Sequence, residues 1–378
     1  MPYYIPQEIL DKIIGCATAD EPKFGRNFSS CASLVSHTFH QIVLPYKFRS
    51  LTFEFHNFTP FFGTTVVVPM PKFCEAIKAG DAHALSLVPL VQELSLISSY
   101  SDTYDNHFLP GPFEKIINGV VSFGNLTKLN LFRCVASPVI MEQLGKLVQL
   151  QSLRTFHCQD TQYGDEVSYG ALSNLRSLHT LECEGDWKHF KRHLACISMK
   201  NLRILKSRDW EVVKALLTTD PPVQLKELWL TRRYRRYSLL WDYLAMATSL
   251  THLSLPYLGL SDGPPSLIFP LQELQYLHIH VAFAPRFADQ PMKKMIIYTE
   301  SETGQVMVEV RQHWQGIVFP HVEYLEVDRF DEELEEIPIE FWREFLLNVN
   351  EVVSRHVVLD SLPSKSMLIF LFFVLCSR

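Results

Sequence analysis

The amino-acid sequence predicts an α/β solenoid, with parallel strands along a concave face and helices along a convex one, entered through a small helical segment. Three observations lead there. A short phrase, L-x-x-L-x-L, returns through the middle of the chain at a nearly constant period. The stretches between its copies carry apolar residues at helical spacing, and the first fifty residues follow neither pattern.

The cleanest copy is Leu126–Leu129–Leu131 (LTKLNL), and Leu250–Leu253–Leu255 (LTHLSL) nearly duplicates it. Others open at Val91, Leu150, Leu175, Leu202, Leu225, Leu274 and Val322. From Leu126 the intervals are 24, 25, 27, 23, 25, 24 and 48 residues, and the last, being doubled, predicts a degenerate unit near Met295–Tyr298. A period in this range is that of a leucine-rich repeat. Alternation is the physical reason for the phrase: in a short strand, residues two apart share a face and stack on their equivalents in the next unit. One unit cannot bury its leucines alone, so several must stack. Between strands, 137–147 (SPVIMEQLGKL) and 212–217 have helical spacing and are expected to cover the convex side. Cys134, Cys158 and Cys183 are each read as lying three residues beyond a strand pair, where such repeats use Asn or Cys to turn the chain inward.

By the same register, the residues between and just beyond the leucines line the concave face. They run from Asn130 and Phe132 through Arg154, Phe156, His179, Leu181, Lys206 and Arg208 to Trp229 and Thr231. Ser254, Pro256, His278, His280, Glu326 and Asp328 continue the row. Substrate-contact candidates are Phe132, Arg154, Phe156, His179, Lys206, Arg208, Trp229, His278 and His280, with Arg232 and Arg233 just past a strand. Trp229 reads either as an anchor, tryptophan being a frequent hot-spot residue, or as partial packing against a neighbour. The run 232–237 (RRYRRY) reads three ways: a carboxylate or phosphate contact, a single-stranded RNA contact, or a solvated loop. His278 and His280 share a side of one strand, but no third ligand falls in register, so no metal is expected.

The N-terminal segment carries a different motif. Ile5-Pro6-Gln7-Glu8-Ile9-Leu10, then Ile13-Ile14, reads as an extended entry and a short amphipathic helix. A polar stretch, 17–27, precedes a second helical spacing over 31–43 (CASLVSHTFHQIV). Together with the close at 44–53 (LPYKFRSLTF), these residues resemble an F-box over roughly residues 3–53. Ser36 and Phe39 stand where that family usually has Cys and Trp, and the polar stretch is an insertion. The pairing of this motif with a loose repeat array is similar to F-box proteins numerous in basidiomycete fungi. The resemblance implies a substrate receptor whose F-box docks on a Skp-type adaptor and, through it, a cullin-based ubiquitin ligase. Carried over as adaptor contacts are Pro6, Ile9, Leu10, Ile13, Leu34, Val35 and Phe39. Several of these, Leu34 and Ile13 above all, alternatively pack the F-box core.

The expected organisation is therefore an F-box-like segment over 1–47, a repeat array over 48–345 with a faded unit near 292–300, and a C-terminal cap or tail over 346–378. With 47% hydrophobic and 20% charged residues in 378, the chain is expected to be a folded globular protein, with disorder confined to loops. A net charge of −6 argues against a general nucleic-acid binder. The N-terminus lacks the pattern of a secretory signal, so the eight cysteines are expected to be reduced in cytosol or nucleus. The apolar run 367–376 (MLIFLFFVLC) spans only ~15 Å as helix against a hydrocarbon core of ~30 Å, so no membrane span is expected. No G-x-S-x-G, H-E-x-x-H, Walker A or G-x-G-x-x-G motif occurs, and neither an enzyme nor a cofactor is expected. The rival reading is a repeat scaffold with no ligase role.

Overall fold

The computed structural model describes residues 37–55, 70–98, 119–132, 134–136, 138–156, 158–160, 169–184, 199–208, 212–214, 218, 223–231, 238–255, 269, 271–299, 303–329 and 337–356. They fall in two compact units, Met1–Asn201 and Leu202–Arg378.

In the first unit, helix α1 (His37–Phe48) leads into strand β1 (Ser50–Phe55). Two short helices follow, α2 (Met70–Lys78) and α3 (Ala82–Leu87), then β2 (Glu93–Ser98) and β3 (Lys128–Phe132). A two-residue strand β4 (Val135–Ala136) and helix α4 (Pro138–Gly145) precede β5 (Ser152–Phe156), the short β6 (Gln159–Asp160) and β7 (Thr180–Glu184). The parallel order is β1-β2-β3-β5-β7, with β4 and β6 forming a small parallel pair beside it.

The second unit carries seven parallel strands in chain order: β8 (Ile204–Ser207), β9 (Glu227–Leu230), β10 (His252–Leu255), β11 (Tyr276–His280), β12 (Lys294–Thr299), β13 (Tyr324–Arg329) and β14 (Glu351–His356). Helix α5 (Ser238–Leu244) joins β9 to β10, α6 (Thr303–Trp314) joins β12 to β13, and α7 (Ile339–Arg343) precedes β14. Strand β12 lies inside the doubled interval. Strand β14 lies inside 346–378, beyond the boundary expected for the array.

The leucine phrase builds the strands of both units in the same way. Its central residue is fully buried in strand after strand: Leu94, Leu129, Leu153 and Leu181 in the first unit, Leu205, Leu228, Leu253, Leu277, Met295 and Leu325 in the second. Each such side chain stabilises by about 1.5–3 kcal/mol through burial. One backbone device fixes the register. The carbonyl two residues before that central position accepts two successive N–H groups from the next strand. Thus Gln92 O takes Thr127 N and Lys128 N, and Thr251 O takes Gln275 N and Tyr276 N. The connecting helices turn one stripe inward: Val306, Val310 and Trp314 on α6, Leu240, Trp241 and Leu244 on α5, all buried.

Strand β7 departs from the expected register. The phrase can be read at Leu175–Leu178–Thr180 or three residues later at Leu178–Leu181–Cys183, since Leu175, Leu178 and Leu181 are equally spaced. Backbone pairing selects the later frame: Leu153 faces Leu181 and Thr155 faces Cys183. His179 N donates to Gln151 O at 2.8 Å, which puts His179 at the strand entry. Leu181 and Cys183 therefore point into the core. The expected turn role holds for Cys134 and Cys158, whose thiols reach the Leu96 and Leu131 carbonyls of the preceding strands, but not for Cys183.

Cys74 on α2 is a tight point of the first unit. A Cβ added at Gly119 would lie 2.9 Å from its Sγ, below ordinary contact, and the short side chain has little freedom to retreat. Gly119→Ala is expected to cost about 1–3 kcal/mol by overpacking. The same change on a Cys74→Ala background should cost far less, which a urea-unfolding double-mutant cycle measures.

Burial, reinforced by the adjacent Glu75 carboxylate, also pushes the Cys74 thiol from its ordinary 9.0 up to about 11. Below pH 9 both folded and unfolded chains keep this proton. Between pH 9 and 11 only the unfolded thiol ionises, so stability falls as pH rises through that window. Urea midpoints measured from pH 8 to 11 should fall less steeply for Cys74→Ala than for the parent chain.

Candidate functional site

On each strand the residues flanking the buried positions face the other way, onto the open side of the sheet. In the second unit this face carries aromatic and charged groups in three rows. The first row runs along the register Glu227, His252, Tyr276, Lys294 and Tyr324. The second runs Lys206, Trp229, Ser254, His278, Ile296 and Glu326. Along the third edge His280, Tyr298 and Asp328 pair in register.

Trp229 sits at the centre of an aromatic cluster. Its ring lies 5.0 Å from that of Tyr276 and 6.3 Å from that of His252, and His252 and Tyr276 are 5.5 Å apart. Trp229 Nε1 donates to Glu227 Oε2 at 3.1 Å, which fixes the indole plane. The Lys206 ammonium stands over the indole at 4.9 Å from its centroid, at a distance where the ring quadrupole attracts a cation. Trp229 is thus half-buried and packed by its neighbours while still presenting part of its surface. The packing reading of this residue therefore holds.

A second cluster gathers on Lys294. Its ammonium lies 4.5 Å from the Tyr324 ring centroid and 5.7 Å from that of Tyr276, and 3.5 Å from Glu326 Oε2. Glu326 is 3% exposed and also takes the Tyr324 hydroxyl at 3.3 Å. A buried carboxylate needs such partners, because its lost hydration would otherwise go uncompensated.

The two histidines take different parts. His278 bridges strands, with Nδ1 3.2 Å from Ser254 Oγ and Nε2 3.2 Å from Asp328 Oδ2, the latter an ion-pair contact whose angle falls short of a hydrogen bond. The order of these residues resembles a nucleophile, base and acid, but Ser254 is 2% exposed and closed to a substrate. The row braces the sheet. His280, 5% exposed, accepts the Ala282 N–H through Nδ1 and so caps the 3-10 helix Val281–Phe287. No group of three or more metal-ligating side chains comes together among the described residues.

On the first unit's open face, Phe132 and Phe156 stack at 4.8 Å with rings nearly parallel. Arg154 Nε pairs with Glu182 Oε2 at 3.1 Å, directly across from it on β7. His179 lies at the strand entry and not between the core leucines; Glu182 and Glu184 take the open-face positions there. Asn130 is nearly buried and donates to Ser95 Oγ and Glu93 Oε1.

Arg208 is half-buried at the end of β8, while Arg232 and Arg233 lie outside the described residues. So do Pro6, Ile9, Leu10, Ile13, Leu34 and Val35; Phe39 falls on α1. The apolar run 367–376 is likewise outside, and no described helix is long and apolar enough to cross a membrane. His252, Tyr276, Lys294 and Tyr324 were not among the expected site residues. Each stands one place before the central buried residue, and strand alternation alone puts that place on the open face.

No family model matches this sequence, and no curated protein matches it. Among solved structures the chain is similar to an internalin from Listeria monocytogenes, at 12% identity over 74% of this chain and 71% of that one, with a TM-score of 0.33. At that identity and score the likeness carries no argument about activity. The chain's own parallel strands, register and buried leucines define an α/β leucine-rich-repeat fold, an architecture that offers extended surfaces for binding proteins.

Proposed function

We propose that the chain is the substrate-recognition subunit of a Skp-cullin-F-box ubiquitin ligase. On this reading the F-box-like segment docks on the Skp-type adaptor, the repeats hold a protein substrate, and other subunits carry out ubiquitin transfer. The observation that carries it is a junction. The motif resembling an F-box closes over 44–53, where helix α1 runs with a single intervening residue into β1, the first strand of the array. A short junction suits a receptor, because it joins the docking segment directly to the first strand of the array. The reading places the protein in cytosol or nucleus and gives it no catalytic group or cofactor of its own.

Co-purification of the full chain with a recombinant Skp-type adaptor tests the proposal. Complex formation is expected, together with its loss in the Pro6→Ala, Ile9→Ala double variant, since a few apolar anchors usually dominate such interfaces. No complex, or one indifferent to both substitutions, would leave a repeat scaffold with no ligase role. A circular-dichroism spectrum and unfolding midpoint matching the parent chain separate lost docking from lost folding.

A further inference from the structure

The proposed receptor reading leaves the chemistry of its ligand open, and the open face of the second unit narrows it. The cations and carboxylates of this face are not matched evenly along it. Toward β13 the carboxylates have cationic or imidazole neighbours: Glu326 faces Lys294, and Asp328 faces His278. On β9, Glu227 is engaged by the indole N–H of Trp229. On β8 the arrangement is different. Lys206 lies over the Trp229 ring, and among the described residues no carboxylate pairs with it. An ammonium over an aromatic face keeps most of its charge available, because the quadrupole attracts it without neutralising it.

Beside this charge lies apolar area. The Trp229, His252 and Tyr276 rings form a continuous strip across three strands, each half-buried and so held in place yet still accessible. A fixed aromatic strip next to a cation without a carboxylate partner complements a ligand of one kind.

We propose that the strip across β8 to β11 binds an acidic peptide segment of a partner protein. A ligand Asp or Glu carboxylate seats on Lys206, and a neighbouring aromatic or aliphatic side chain packs on Trp229 and Tyr276. This rests on the repeats being the ligand-binding part of the proposed receptor. It does not depend on the F-box, so adaptor binding and peptide binding can fail separately.

The probes are a random copolymer of Glu and Tyr, one of Lys and Tyr in the same ratio, and poly(U) RNA, each fluorescently labelled and titrated with the full-length protein. The Glu,Tyr copolymer is expected to bind, and raising salt from 50 to 500 mM should weaken it, as for a solvent-exposed charge contact. Trp229→Ala and Lys206→Met should each raise its Kd tenfold or more, while Lys206→Arg keeps it within threefold. Lys206→Met preserves the aliphatic stem over the indole, and matching unfolding midpoints show that the fold survives. The proposal is overturned if the Glu,Tyr copolymer does not bind, if Lys206→Met leaves binding unchanged, or if the Lys,Tyr copolymer or poly(U) binds more tightly through the same residues.

Discussion

Trp314→Ala is expected to destabilise the second unit more than any other single truncation considered, by about 3–5 kcal/mol from lost packing. Trp314 is fully buried at the end of α6, with ring centroids 4.7 Å from Phe319, 5.7 Å from Phe345 and 6.2 Å from Trp342. Its Nε1 donates to the Val281 carbonyl at 2.9 Å. Truncation removes this bond as well as the ring. A buried acceptor left without its donor adds about 1–3 kcal/mol. Trp342 supplies the control. It is equally buried, but its Nε1 has no hydrogen-bond partner among the described residues. Trp342→Phe removes a desolvated donor and so offsets part of its lost volume, whereas Trp314→Phe forfeits a satisfied bond. Urea unfolding followed by far-UV circular dichroism should rank the parent chain first, then Trp342→Phe, Trp314→Phe and Trp314→Ala.

The second large effect belongs to the middle of the ladder. Leu253 on β10 is fully buried and faces Leu228 on one side and Leu277 on the other. Leu253→Ala is expected to cost about 2–5 kcal/mol, the upper part of that range applying where neighbours cannot collapse into the space. Both flanking strands are held by their own backbone bonds, so collapse is restricted. Val352 occupies the equivalent place on β14, facing Leu325, but is only half-buried. Val352→Ala should therefore shift the unfolding midpoint much less. Equal shifts at the two positions would mean that the stacked-leucine account is wrong.

Much of this fold was legible because its signal is a period, and stacking makes the period physical. The repeated phrase located nine of the fourteen described strands, and the doubled interval marked where β12 lies. The error at β7 has a definite cause. Three leucines spaced by three offer two frames of the same phrase, and only pairing with Leu153 decides between them. That slip moved His179 onto a face it does not occupy and put Cys183 in a turn when it lies in the core.

The open face was legible in part. Phe132, Arg154, Phe156, Lys206, Trp229 and His278 fall on it as alternation requires. The omitted first row, from His252 to Tyr324, follows from the same rule applied one step earlier. What alternation could not supply is pairing: that Glu326 is buried against Lys294, or that His280 caps a 3-10 helix, depends on residues brought together from separate repeats.

The shared carbonyl at each strand entry has a consequence for engineering. Successive anchors stand 18 residues apart from Gln275 to Lys293, 30 from Lys293 to Glu323 and 43 from Arg49 to Gln92, with double acceptance at Gln275, Lys293, Arg49 and Gln92 and the Asn350 N–H on Glu323 O. Spacing along the chain is thus uncoupled from spacing in the sheet, since closing a longer loop costs only about 0.6 kcal/mol per doubling. Connector length can therefore vary, and a guest sequence can be spliced in where it leaves the buried stripe of a connecting helix, such as Val306, Val310 and Trp314 on α6, in place.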